Sequence, residues 1–167
     1  MVKATTEELS ISIGIGEMCV SKDKSMVFVA HGLGSCVGIC MCDEIIGIGG
    51  MAHIMLPNDN GVETSVPVKF ADTGIPKLMN ELIEEGAKKN RMKVKIAGGA
   101  NMLNLPGSSG QFDIGSRNVE MTKKILKDLG LNIASSDVGG NCGRTVYFYP
   151  STGRVLVRTI GQQLGEI

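Results

Sequence analysis

The chain has 167 residues, with 17 basic and 17 acidic side chains that cancel, so it lacks the electrostatic footprint of a nucleic-acid or anionic-membrane binder. Only 4% of the residues are aromatic and none is tryptophan, too few rings for base stacking. No apolar run approaches the roughly 20 residues of a membrane span and the first ten residues are polar rather than signal-like, so a cytoplasmic protein of one domain is expected, large enough for a core that needs no disulfides.

Residues 11–18 alternate apolar side chains with Ser12, Gly14 and Gly16, the period of a strand. A charged turn leads to a second strand over 26–30, and Gly32-Leu33-Gly34-Ser35 then forms a tight turn. Residues 36–41, beginning at Cys36, are apolar on both parities, as expected of a central strand covered on both faces. Asp43-Glu44 turns the chain back into residues 45–55, the hairpin partner, with His53 near its far end. Residues 57–67 read as a surface loop.

Asp72 or Thr73 is expected to cap a helix with Ile75, Leu78, Met79, Leu82 and Ile83 on one face and Pro76 in its first turn. Val94 and Ile96 mark a short strand, followed by a Gly/Ser/Pro-rich connection through Gly110. A second helix over 116–129 turns Val119, Ile125, Leu126 and Leu129 inward and stops at Gly130. Strands over 131–138, 144–149 and 154–160 close the chain, the last two joined by Pro150-Ser151-Thr152-Gly153. This order lacks regular βα alternation and implies an α+β fold, a mostly antiparallel β-sandwich flanked by two main helices.

A glycine-rich turn that delivers Cys36 to the start of a buried strand fixes the direction of its thiol and leaves the N–H groups around Gly34 and Ser35 as candidate oxyanion donors. His53, returned by the hairpin, is the candidate base, since a thiol with an ordinary pKa of about 8.5 is only slightly ionised at neutral pH. Such a pair suits attack on a carboxamide, release of ammonia and hydrolysis of the thioester. Cys40 and Cys42 share the parity of Cys36 and read as small core residues.

The five cysteines, with no export signal, are expected to be reduced. Cys36, Cys40 and Cys42 lack the paired knuckles of a zinc site, so no metal is expected, and no cofactor motif is present. Cys19 and Cys142 have no evident partner, and His31 reads as a solvent-facing strand-end residue. The competing readings are a thiol redox sensor, with Cys40 resolving Cys36, and a non-catalytic adaptor.

Gly32-Leu33-Gly34-Ser35-Cys36-Val37, Met51-Ala52-His53-Ile54-Met55-Leu56-Pro57, Ala71-Asp72-Thr73, Gly115-Ser116-Arg117-Asn118 and Gly139-Gly140-Asn141 follow one another over nearly the whole chain. In this they resemble the CheD family, the chemoreceptor glutamine deamidases. The resemblance implies a fold like the catalytic domain of cytotoxic necrotizing factor toxins and a Cys36–His53 pair that deamidates glutamine on methyl-accepting chemotaxis receptors, with methyl-ester hydrolysis in some members. It also implies regulation by the CheC phosphatase. The family commonly carries a histidine-orienting threonine six residues before the cysteine; this chain has Ala30 there, so the Ala30 backbone carbonyl is expected to orient His53. The loops over 57–67 and 105–113 are expected to meet the receptor.

Overall fold

The computed structural model describes residues 8–103 and 113–167. The strands are β1 (Leu9–Ser12), β2 (Met18–Ser21), β3 (Met26–Leu33), β4 (Val37–Asp43), β5 (Ile48–Ile54), β6 (Lys93–Gly98), β7 (Ile133–Val138), β8 (Arg144–Tyr149), β9 (Arg154–Thr159) and β10 (Gly165–Glu166). Helix α1 spans Ala71–Glu84 and α2 spans Ile114–Asp128.

The strands form two five-stranded sheets, ordered β1-β3-β8-β9-β10 and β2-β5-β4-β6-β7. Both are mixed: β1 runs parallel to β3 and β6 parallel to β7, whereas the other pairings are antiparallel. The fold is therefore α+β. β4 lies at the centre of its sheet, and every residue of β4 and β5 is buried.

Two cores explain that burial. On one face, Ile39, Met41 and Ile54 pack with Ile75, Leu78 and Leu82 of α1 and with Val119 and Leu126 of α2. On the other, Cys40, Cys42 and Met51 meet Phe28, Val146, Phe148 and Val157 of the opposing sheet. A strand enclosed by a helix layer and a second sheet has no polar side to show, hence the loss of alternation in its sequence. No helix among the described residues is long and apolar enough to cross a membrane.

Several boundaries differ from expectation. Residues 11–18 are not one strand: the chain leaves the first sheet after Ser12 and joins the second at Met18, bridging the layers with the turn 13–17. The period-two pattern could not reveal this, because Gly14 and Gly16 fit a turn as well as a strand. α1 begins at Ala71 behind a 3-10 turn, with Phe70 at the cap position and no side-chain cap, so neither Asp72 nor Thr73 caps it. Pro76 consequently falls in the second turn, and Ile83 is 40% exposed. α2 begins at Ile114 with Asp113 as its cap, the side chain accepting from the Ser116 N–H at 3.0 Å. The short strand β10 carried no sequence signal. The loop expected over 105–113 lies outside the described residues except for Asp113.

Candidate active site

β4 and β5 pair in a register that sets Gly38 opposite His53 and Val37 opposite Ile54. Cys36, two residues before Gly38, is therefore the diagonal neighbour of His53 on the same face, a relation that brings Cα atoms to about 7–8 Å in a regular pair. That face looks toward the opposing sheet, where Cys36 packs against the inter-sheet core. Gly38 lets Leu33 and Met51 pack closely over the strand: a Cβ there would come within 3.2 Å of Leu33 and 3.3 Å of Met51.

His53 is 4% exposed. Its Nδ1 lies 3.0 Å from the Ile13 carbonyl. A carbonyl only accepts, so Nδ1 carries the proton and donates it, and in the neutral ring the lone pair belongs to Nε2. Nε2 is buried and has no hydrogen-bond partner among the described residues. The main chain of His53 is fixed by the same turn: the Gly16 N–H donates to the His53 carbonyl at 2.9 Å, and the His53 N–H donates to the Glu17 carbonyl at 3.0 Å.

The expected orienting carbonyl, that of Ala30, is thus replaced. Ala30 lies fully buried in β3 opposite Val146 and makes no hydrogen bond to the His53 ring. Ile13 supplies the acceptor instead, because the turn 13–17 pairs alongside His53 as the chain crosses between the sheets. A backbone acceptor leaves no trace in residue type, so only the three-dimensional path could identify it.

The turn before Cys36 is pinned through its carbonyls. Gly34 accepts from the Ala100 N–H at 2.8 Å, Ser35 from Asn118 Nδ2 at 2.9 Å and Cys36 from the Gly99 N–H at 2.7 Å. Gly98, with φ of +115°, lets β6 pass so close to the Cys36 carbonyl that a Cβ there would collide with it. The N–H groups of Gly34, Ser35 and Cys36 find no acceptor among the described residues. In each trans peptide the N–H points opposite to the carbonyl, so anchoring Gly34 and Ser35 on one side turns the N–H groups of Ser35 and Cys36 to the other.

Burial pushes the Cys36 thiol above its ordinary value, with its own backbone N–H partly offsetting this. Burial likewise lowers the His53 imidazole, opposed by the hydrogen bond to Ile13 and by the negative charge of Glu17. Both shifts favour the neutral thiol and the neutral imidazole. Cys40 is pushed far up by burial, and Cys42 up to about 11 by burial and the charge of Glu44. Neither is poised to ionise, which speaks against a redox relay along β4. His31 is exposed on the outer sheet.

Asn118 is assigned no role by the sequence motif that contains it. Its amide donates at 2.9 Å to both the Ser35 and Met55 carbonyls, from a fully buried position on α2. The available signal was an asparagine and a threonine, Asn118 and Thr122, one turn apart within an apolar stripe. A cavity of about 140 Å³ adjoins the turn before Cys36, lined by residues including Ser35, Asn101, Met102 and Gly115. A larger cavity, about 640 Å³ between β2 and the end of α1, includes neither Cys36 nor His53.

A buried strand hairpin that presents a thiol and an unsatisfied imidazole nitrogen on one face, beside a row of open N–H groups, has the parts of a cysteine hydrolase. Comparison with known proteins narrows that class. The model of CheD, described as CheD chemotactic sensory transduction, matches residues 55–159. The chemoreceptor glutamine deamidase CheD of Thermotoga maritima is 48% identical over 149 residues, covering 89% of this chain and 91% of its own. A probable chemoreceptor glutamine deamidase CheD of Caldanaerobacter subterraneus is 45% identical, covering 93% and 96%. The chain belongs to the CheD family. Among solved structures, the Bacillus licheniformis hypothetical protein YfiH overlaps 81% of this chain and 60% of its own at a TM-score of 0.45 and 13% identity, too distant a likeness to carry over a fold or an activity.

Proposed function

We propose that this protein is a chemoreceptor glutamine deamidase in which Cys36 is the nucleophile and His53 the general base. The observation that carries the reading is the tautomer of His53. With Nδ1–H committed to the Ile13 carbonyl, the Nε2 lone pair is left buried and unsatisfied on the face it shares with Cys36.

Nε2 takes the thiol proton as sulfur attacks the side-chain carboxamide of glutamine, giving a tetrahedral oxyanion held by the N–H groups of the turn 34–36. The imidazolium returns that proton to the departing nitrogen, and ammonia leaves as the C–N bond breaks, with a thioester on Cys36. Nε2 then deprotonates a water that attacks the thioester. The sulfur leaves as thiol and glutamate remains. A glutamate methyl ester can follow the same course with methanol as the leaving group.

Because burial disfavours both charged forms, the resting site is the neutral pair, and the thiolate forms in the course of attack. This keeps the sulfur protected from adventitious oxidation until substrate covers it. The loss of the family threonine at Ala30 would have favoured an inert adaptor, but the Ile13 carbonyl supplies the acceptor that the imidazole needs.

The substrate is the exposed cytoplasmic helix of a methyl-accepting receptor, which places the enzyme in the cytoplasm; residues 57–67 and 105–113 are assigned to the contact with that helix. We further assign CheC as regulator and a sandwich like that of the cytotoxic necrotizing factor catalytic domain. Incubation of a receptor cytoplasmic fragment with the protein, read by mass spectrometry, should give a gain of about one dalton at particular glutamines. No gain beyond that left by Cys36→Ala would refute the assignment and leave a binding role.

A further inference from the structure

Asn118 lies fully buried on the inward face of α2. Both atoms within reach of its Nδ2 are carbonyl oxygens, which cannot donate, so the NH2 end of the amide faces them. Its Oδ1 is buried with no partner among the described residues. An amide oxygen left unpaired in a core costs free energy, so an apolar side chain of similar size would suit the packing of helix on sheet better. The amide is explained by what its two hydrogens hold.

We propose that Asn118 is a positioning residue for the deamidation assigned above, on which this inference rests, one planar NH2 group setting the nucleophile turn and the histidine strand in register. The Ser35 carbonyl belongs to the same peptide as the Cys36 N–H and points the opposite way. Holding that carbonyl on α2 aims the Cys36 N–H away from the helix, as an open donor on the sulfur's own residue. Met55 follows His53 by two residues, and its carbonyl is held by the second hydrogen of the same group. The β4–β5 ladder stops at Val37 and Ile54, so beyond it this amide is the direct tie between the two arms. A helix-sheet staple with no part in the chemistry would stabilise the fold and leave the coupling of thiol to imidazole unchanged.

Two variants of the full chain test this, Asn118→Leu and Asn118→Asp, neither of which keeps the double donor. The expected result with a receptor fragment is a fall in kcat of about 100-fold, the size associated with an ångström-scale misplacement, with KM within about threefold. A second readout is the pH dependence of iodoacetamide alkylation at Cys36. His53→Ala should remove the imidazole-dependent part of that profile; Asn118→Leu should do the same, and the double variant should behave as His53→Ala alone. Wild-type kcat in either folded variant overturns the proposal, as does lost activity with a wild-type alkylation profile, or alkylation effects that add. If circular dichroism shows neither variant folded, Asn118 is structural and the proposal fails. If the wild-type protein leaves every receptor glutamine unchanged, the deamidase assignment fails, whereas the alkylation cycle still decides whether Asn118 couples His53 to Cys36.

Discussion

At one end of the β4–β5 hairpin, Asp43 is wholly buried and accepts from the Ile45 N–H, the Lys88 N–H, and Nε and Nη2 of Arg91. At the other end, His53 is almost as deeply buried, yet among the described residues its Nε2 has no partner and the N–H groups of Gly34, Ser35 and Cys36 have no acceptor. The same pair of strands thus carries one polar group satisfied on every side and one left open. Unsatisfied buried polarity is costly, so its persistence near Cys36 fits the proposed chemistry better than a contribution to stability.

That contrast can be broken from either end. The largest effect belongs to Cys36→Ala, which should cost a factor on the order of 10⁴ or more in deamidation. The side chain is half-buried and small, so the midpoint of urea unfolding should hardly move. Asp43→Ala should do the reverse. It strands the Arg91 guanidinium and the Lys88 N–H, and should lower unfolding stability by about 3 kcal/mol, at the low end for a broken buried pair because Arg91 keeps some access to water. Deamidation by the fraction still folded should stay within a few-fold of wild type, measured below the unfolding midpoint.

Acid titration gives a smaller, graded effect. As the proposed base His53 must be neutral, and burial lowers its pKa, so kcat/KM should be flat through neutrality and fall tenfold per pH unit only below the ordinary imidazole value of about 6.5. The sign for stability is the same. The unfolded chain binds the proton more readily than the folded one, so stability is full above that value and declines as pH falls through it. The smallest effect is expected of Glu17→Gln. Removing the one charge that favours the imidazolium should move the acid limb slightly further down at low salt, and the difference should vanish at high salt, because Glu17 is exposed.

The central hairpin was legible because both faces of β4 and β5 are covered, and a doubly buried strand writes itself into sequence as an unbroken apolar run. The glycine turn before Cys36 and the return to His53 followed from that hairpin. The crossing of residues 13–17 between sheets was not legible, since its glycines suit a turn or a strand and its contribution to the site is a main-chain carbonyl. The start of α1 was misjudged for a related reason: a 3-10 turn feeds it, and backbone bonds rather than a capping side chain hold its first residues. Asn118 was visible as a polar residue on an apolar stripe, but only the packing of α2 over the turn gave it partners.

The account turns on which nitrogen of His53 carries the proton, and ¹⁵N NMR of histidine-labelled protein at neutral pH reads this directly. A pyrrole-type Nδ1 with a pyridine-type Nε2 for His53 is the expected result, absent from the spectrum of His53→Ala. Protonation at Nε2, or an imidazolium at that pH, would contradict it.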